Sequence, residues 1–144
     1  MTKQHHFLIS TLFALGVVAA FYLGYLLLSP YAHAASIELV LNHTVRLGKY
    51  QTLLGDFFTA VGLSLVLVPL LVIVKGARAW VYAAIGAIGA SLIDAILLPF
   101  WPSNNDVRYL GQSVFVATIV ICALLASRAL TFHSSGTAQK RAAP

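Results

Sequence analysis

Residues 79–101 read AWVYAAIGAIGASLIDAILLPFW, and the reading of this run decides the fold. As an α-helix, the interval from Trp80 to Trp101 is about 31 Å long, close to the hydrocarbon thickness of a bilayer. Indole rings favour the headgroup level on either side of a membrane, so the two tryptophans read as depth markers. Between them lies Asp94, the one acidic residue embedded in an apolar run. An ionisable group at that depth is costly unless it faces protein or water, which makes Asp94 the first candidate for a functional residue.

The rest of the composition agrees with a lipid environment. The chain of 144 residues is 60% hydrophobic and only 9% charged, against about a quarter charged in soluble domains. Nine Lys and Arg against four Asp and Glu give a net charge of +5. These cations sit at the ends of apolar runs, with no basic stripe and no interleaved aromatics to stack bases, so the excess reads as membrane topology and nucleic acid is not an expected partner. Cys122 is the single cysteine and lies inside an apolar run, which excludes an internal disulfide.

Four spans are expected, at about 7–29, 57–74, 79–100 and 111–132, as one membrane domain covering 1–132. Pro30 is expected to end the first. Ala32-His33-Ala34 before Ala35 has the small-x-small form of a signal-peptidase site, but the preceding apolar run exceeds the roughly 7 to 15 residues of a signal peptide, so an uncleaved span is expected. Ser36 to Leu47 places Glu38, Asn42 and Arg46 four apart, opposite Ile37, Val40, Leu41 and Val45. That spacing predicts a short extracytoplasmic amphipathic helix, capped by Ser36 and closed by Gly48, that lies along the membrane surface or folds over the bundle mouth. Asn42-His43-Thr44 matches a glycosylation sequon, a weak pattern. Pro69 should kink the second span, with Ser64 one turn earlier compensating part of the disturbed ladder. Lys75-Gly76-Ala77-Arg78 is a tight basic turn between antiparallel neighbours, 102–106 is a polar turn, and the tail 133–144 is expected to be disordered and cytoplasmic.

Basic residues on alternate sides give orientation. Lys3, Lys75, Arg78, Arg128, Lys140 and Arg141 fall on one side and Arg46, Lys49 and Arg108 on the other, which places both termini in the cytoplasm. Glu38, Asp56 and Asp106 then all lie outside.

On the third span Gly86, Ala90 and Asp94 are spaced four apart, as are Ala83, Ala87, Ser91 and Ala95. The face formed by Ala83, Gly86, Ala87, Ala90 and Ser91 lets another helix backbone approach closely, and Asp94 shares it. Counting turns from the outer boundary brings Tyr22, Ser64 and Thr118 to the depth of Asp94, a polar layer that serves either as an interhelical hydrogen-bond clamp or as a proton or substrate site. Arg128 lies roughly 15 Å away along the axis, whereas Arg108 in the outer turn is better placed to reach down and Gln112 sits nearer the mouth.

Other polar residues carry less. His5-His6 reads as a solvated pair, and no histidine falls within the expected spans, so neither metal nor haem is expected. Gly86-Ala-Ile-Gly89-Ala has no following Lys-Ser/Thr and no preceding strand, so it is a packing motif. There is no G-x-S-x-G, no H-E-x-x-H and no second acid within the spans to make a dyad, so an enzyme is not expected, nor a cofactor. Four spans with a surface helix between the first two resembles the general layout of small bacterial tetraspan families such as the DoxX-like proteins, a resemblance of layout alone.

Two functional classes follow. The first is a non-enzymatic accessory or interaction protein of a bacterial inner membrane, docking a second copy or a larger membrane partner through the small-residue face and the outer amphipathic segment. The second is a small oligomeric transporter in which Asp94 couples a proton to solute movement.

Overall fold

The computed structural model describes residues 3–41, 50–97 and 105–141, all of them helical. The elements are α1 (Lys3–Leu41), α2 (Tyr50–Lys75), a single 3-10 turn (Gly76–Arg78), α3 (Ala79–Leu97) and α4 (Asn105–Arg141). Three stretches are long and apolar enough to cross a membrane: His5–Leu39, Gln51–Leu97, which contains α2, the turn and α3, and Arg108–Ala129. The chain is thus an all-α integral membrane protein. In lipid an unpaired backbone N–H or C=O has no water to bond, and continuous helix removes the problem.

The side-chain distribution fits that solvent. Small residues fill the interior, among them Ala60, Ala79, Ala83, Ala87, Ala90 and Ala123, while Leu65, Val66, Leu70, Ile73 and Leu92 face outward. Larger groups interleave with them, led by Phe21, Phe115 and Ile119. Association of helices in a bilayer depends on close van der Waals packing, which small residues permit.

Cross-helix contacts fix the directions. Gly24 lies against Leu63, Gly62 against Leu28 and Gly55 against His33, so α1 and α2 are antiparallel. Phe13 meets Tyr82 edge-on, while Gly86 lies against Val17 and Phe21 and Gly89 against Val18, so α1 and α3 run parallel. The chain therefore reverses at Gly76, whose φ of +55° is a left-handed conformation that a side chain resists. Around the bundle the order is α1, α2, α4, α3, with α2 and α3 touching across the middle. The backbones of α1 and α4 occupy opposite corners, bridged by Tyr25 stacked edge-on against Phe115 at 5.1 Å.

Several boundaries differ from the sequence expectation. Pro30 does not end the first helix: α1 continues for 39 residues to Leu41 with Pro30 inside it and exposed. Proline removes one backbone donor, yet the cost of bare backbone in lipid holds the helical path. Ser36 is consequently an interior residue and not an N-cap; its hydroxyl lies 2.7 Å from the His33 carbonyl and 3.3 Å from that of Gln51 on α2. The remainder of the expected surface helix, with the sequon at Asn42 and with Gly48, lies outside the described residues, as do Trp101 and the turn residues Pro102 to Asn104. At the other end α4 carries on to Arg141, so residues 133–141, expected to be disordered, continue the helix. Pro69 likewise sits within α2, and Ser64 Oγ, expected to compensate for it, is buried with no hydrogen-bond partner.

The small-residue face of α3 is buried at Ala83, Gly86, Ala87 and Ala90, with Ser91 half-buried at its edge. A Cβ on Gly86 would run into the ring of Phe21, which is itself only 1% exposed and has nowhere to swing. Gly16, on the outer side of α1, has nothing within 4 Å of the same position. Gly86→Ala should therefore lower unfolding stability in detergent by about 1 to 3 kcal/mol, the usual cost of overpacking. Gly16→Ala should leave it unchanged or raise it by up to about 1 kcal/mol, through helix propensity alone.

Candidate functional site

The reversal at Gly76 and the pairing of α3 with α4 bring the two acids buried among the described residues to one end of the bundle. Asp94 lies in the last turn of α3 and is 6% exposed. The final four carbonyls of a helix have no partner within it, and that end carries the negative pole of the helix dipole. Arg108, in the first turn of α4, answers both demands. Its Nη2 donates to Asp94 Oδ2 at 2.7 Å and to the Asp94 backbone carbonyl at 2.9 Å. Gln112, one turn further along α4, donates from Nε2 to the same Oδ2 at 2.6 Å. A lone carboxylate here would be expensive, and the pairing neutralises it while tying the end of α3 to the start of α4.

The second acid is Asp56, near the start of α2 and 3% exposed. The Tyr25 hydroxyl of α1 donates to its Oδ1 at 3.1 Å, and His33 Nε2 stands 4.0 Å from the same oxygen. On the other side of the ring, His33 Nδ1 lies 2.9 Å from the Ser29 carbonyl and 3.3 Å from Ser29 Oγ. Two glycines make room for this pair. A Cβ on Gly55 would fall 2.6 Å from the His33 ring, and one on Gly111 of α4 would overlap Asp56 Oδ2.

Tyr25 joins the two halves. Besides bonding Asp56, it lines a small cavity of about 10 Å³ with Ala90, Ser91, Asp94, Gln112 and Phe115, room for about one water molecule. The site thus draws Tyr25 and His33 from α1, Asp56 from α2, Asp94 from α3, and Arg108 and Gln112 from α4. At the opposite end, Lys75 Nζ sits 4.1 Å over the Phe13 ring and 4.9 Å from that of Tyr82, a cation–π clamp joining α1, α2 and α3.

The expected polar layer is arranged differently. Asp94 is held by Arg108 and Gln112, not by Tyr22, Ser64 or Thr118. Tyr22 packs half-buried against the apolar core, Thr118 is half-buried on α4, and the Ser64 hydroxyl is unpartnered. Turn counting could not say which rotational face each residue occupies, and with Asp94 bonded to Gln112, Thr118 lies six residues further along α4. Asp56, which the span boundary at 57 left just beyond the second span, is buried within the bundle. Tyr25, Ser29 and His33 were legible as a ridge, since they recur every four residues, but ending the helix at Pro30 cut the ridge in two.

Chemically, the cluster can hold, share or relay protons, because it combines two acids, an imidazole and a phenol. Among the described residues no group of His, Cys, Asp and Glu is arranged to hold a metal ion. No protein-family model matches this chain, and no curated protein or solved structure matches it either.

Removing Arg108 alone leaves a buried charge on Asp94. Arg108→Leu should therefore cost roughly 3 to 5 kcal/mol in thermal or denaturant unfolding, whereas Asp94→Leu/Arg108→Leu should recover most of that loss.

Proposed function

We propose that this chain is a small non-enzymatic protein of a bacterial inner membrane that crosses the bilayer four times, keeps both termini in the cytoplasm, and works as an accessory component docking a partner within the lipid. The antiparallel course of α2 and α3 supports two crossings within Gln51–Leu97. The parallel run of α1 and α3 supports a common side for the N-terminal end of α1, for Lys75 and for Arg78, the basic side of the positive-inside count.

The observation that carries the accessory reading is the closed packing around Asp94. Both donors are engaged, and the cavity that Asp94 itself lines is about 10 Å³, far below the roughly 300 to 1,000 Å³ of an ordinary ligand pocket. The surface offered to a partner is not the stripe on α3, which α1 already covers. A furrow of about 440 Å³ between α1 and α2 takes its place, walled by Leu12, Gly16 and Ala20 on one side and Leu67, Leu70 and Val74 on the other. Gly16 and Ala20 are four apart and exposed, a small-xxx-small pair on the lipid-facing surface that suits the close approach of a partner helix.

Transport remains a second reading, in which a proton on Asp94 is coupled to solute movement. The observation favouring it is the second buried acid, Asp56, with Tyr25 between the two.

Gly16→Leu/Ala20→Leu should abolish co-purification of a stoichiometric membrane partner, or dimerisation if the partner is a second copy, without lowering unfolding stability. In proteoliposomes under a pH gradient, no solute-dependent proton flux is expected; flux that disappears in Asp94→Asn would replace the accessory reading with the transport one.

A further inference from the structure

We infer that His33 and Asp56 form a proton-binding site, in which one proton taken from the aqueous phase at this end of the bundle links α1 to α2. The argument begins at the far side of the imidazole. A carbonyl oxygen only accepts hydrogen bonds, so the 2.9 Å contact between the Ser29 carbonyl and His33 Nδ1 favours the ring hydrogen on Nδ1 over the arrangement in which the Ser29 hydroxyl donates to Nδ1 across 3.3 Å. In the neutral ring Nε2 then presents a lone pair, and it presents that lone pair toward Asp56 Oδ1 at 4.0 Å.

Three states of this pair can be compared. With no proton between them, a lone pair faces a carboxylate that is buried and poorly screened, which is repulsive. With two, an imidazolium faces a neutral acid and a cation stands beside a buried group that no longer balances it. With one, either the imidazolium opposes the carboxylate or the carboxylic acid opposes the imidazole, and both arrangements attract. Closing the gap by about 1 Å turns that attraction into a direct hydrogen bond. The Tyr25 hydroxyl donates to the same oxygen in either case.

The surroundings leave this proton to the pair. From α1 the facing titratable group is Tyr25, from α3 it is Asp94, and from α4 it is Arg108, whose bond to Asp94 cancels that charge locally. The His33 side chain is 30% exposed and Asp56 4%, so the proton enters through the imidazole. Gly55 and Gly111 make the pocket a built one: a methyl group on either would displace the ring or the carboxylate. The site goes beyond both functional readings, because it binds its proton whether or not any solute moves.

The test uses the full chain in lipid nanodiscs with His5, His6, His43 and His133 replaced by Gln, leaving ¹⁵N-labelled His33 as the one imidazole signal. The neutral ring is expected as the Nδ1–H tautomer, and Asp56→Asn should weaken proton uptake at the site. Unfolding stability should pass through a maximum with pH in the one-proton range and lose that maximum in Asp56→Asn. A neutral Nε2–H tautomer overturns the proposal and is read without any variant at position 56; uptake unchanged by Asp56→Asn overturns it as well.

Discussion

The bond between Asp94 and Arg108 is the constraint on which the rest of this structure depends. It joins a carboxylate that lipid would reject to a guanidinium that lipid would also reject, at 2.7 Å and at the junction of two helices. Because the same guanidinium takes up the Asp94 carbonyl at 2.9 Å, the pair also closes the C-terminal end of α3. Once α3 and α4 meet there, Gln112 must face inward and Gly111 must face Asp56, which carries the second acid into the bundle. One ion pair thereby sets the rotational position of α4 against both α2 and α3.

Between the two polar ends the interior is mainly apolar, with small residues wherever helices approach closely. Alanine and glycine line much of the interior beside a smaller set of bulky groups such as Phe21 and Phe115, so close backbone approach contributes to the packing as well as filled space. Such packing has little intrinsic register, since one small residue resembles the next. The register comes from the ends: Lys75 over the Phe13 and Tyr82 rings at one, and the two acids with their partners at the other. Specific polar contacts at the termini of a smooth apolar bundle are a physical route to one arrangement among many similar ones.

Membrane class, helical architecture and the inward direction of Asp94 were legible in the sequence, because Trp80, the small residues spaced four apart and the lone acid each have a direct physical meaning in lipid. Arg108 was legible as the nearer cation by counting rise along the helix. What composition could not supply was the azimuth of residues on different helices, so Tyr22, Ser64 and Thr118 were grouped with Asp94 by depth alone. The larger omission turned on Pro30. In water a proline after a serine is a fair helix terminator, but here the helix runs on to Leu41, and with it the ridge Tyr25, Ser29, His33 that meets Asp56.

A direct distance measurement in bilayers tests the central claim. Solid-state NMR dipolar recoupling between the ¹³Cγ of Asp94 and the ¹⁵Nη atoms of Arg108, in the lipid-reconstituted chain, should show the strong coupling of directly bonded partners, in keeping with the 2.7 Å oxygen-to-nitrogen contact. A coupling too weak to detect at that pair, with Asp94 still ionised and protected from water, would contradict the account.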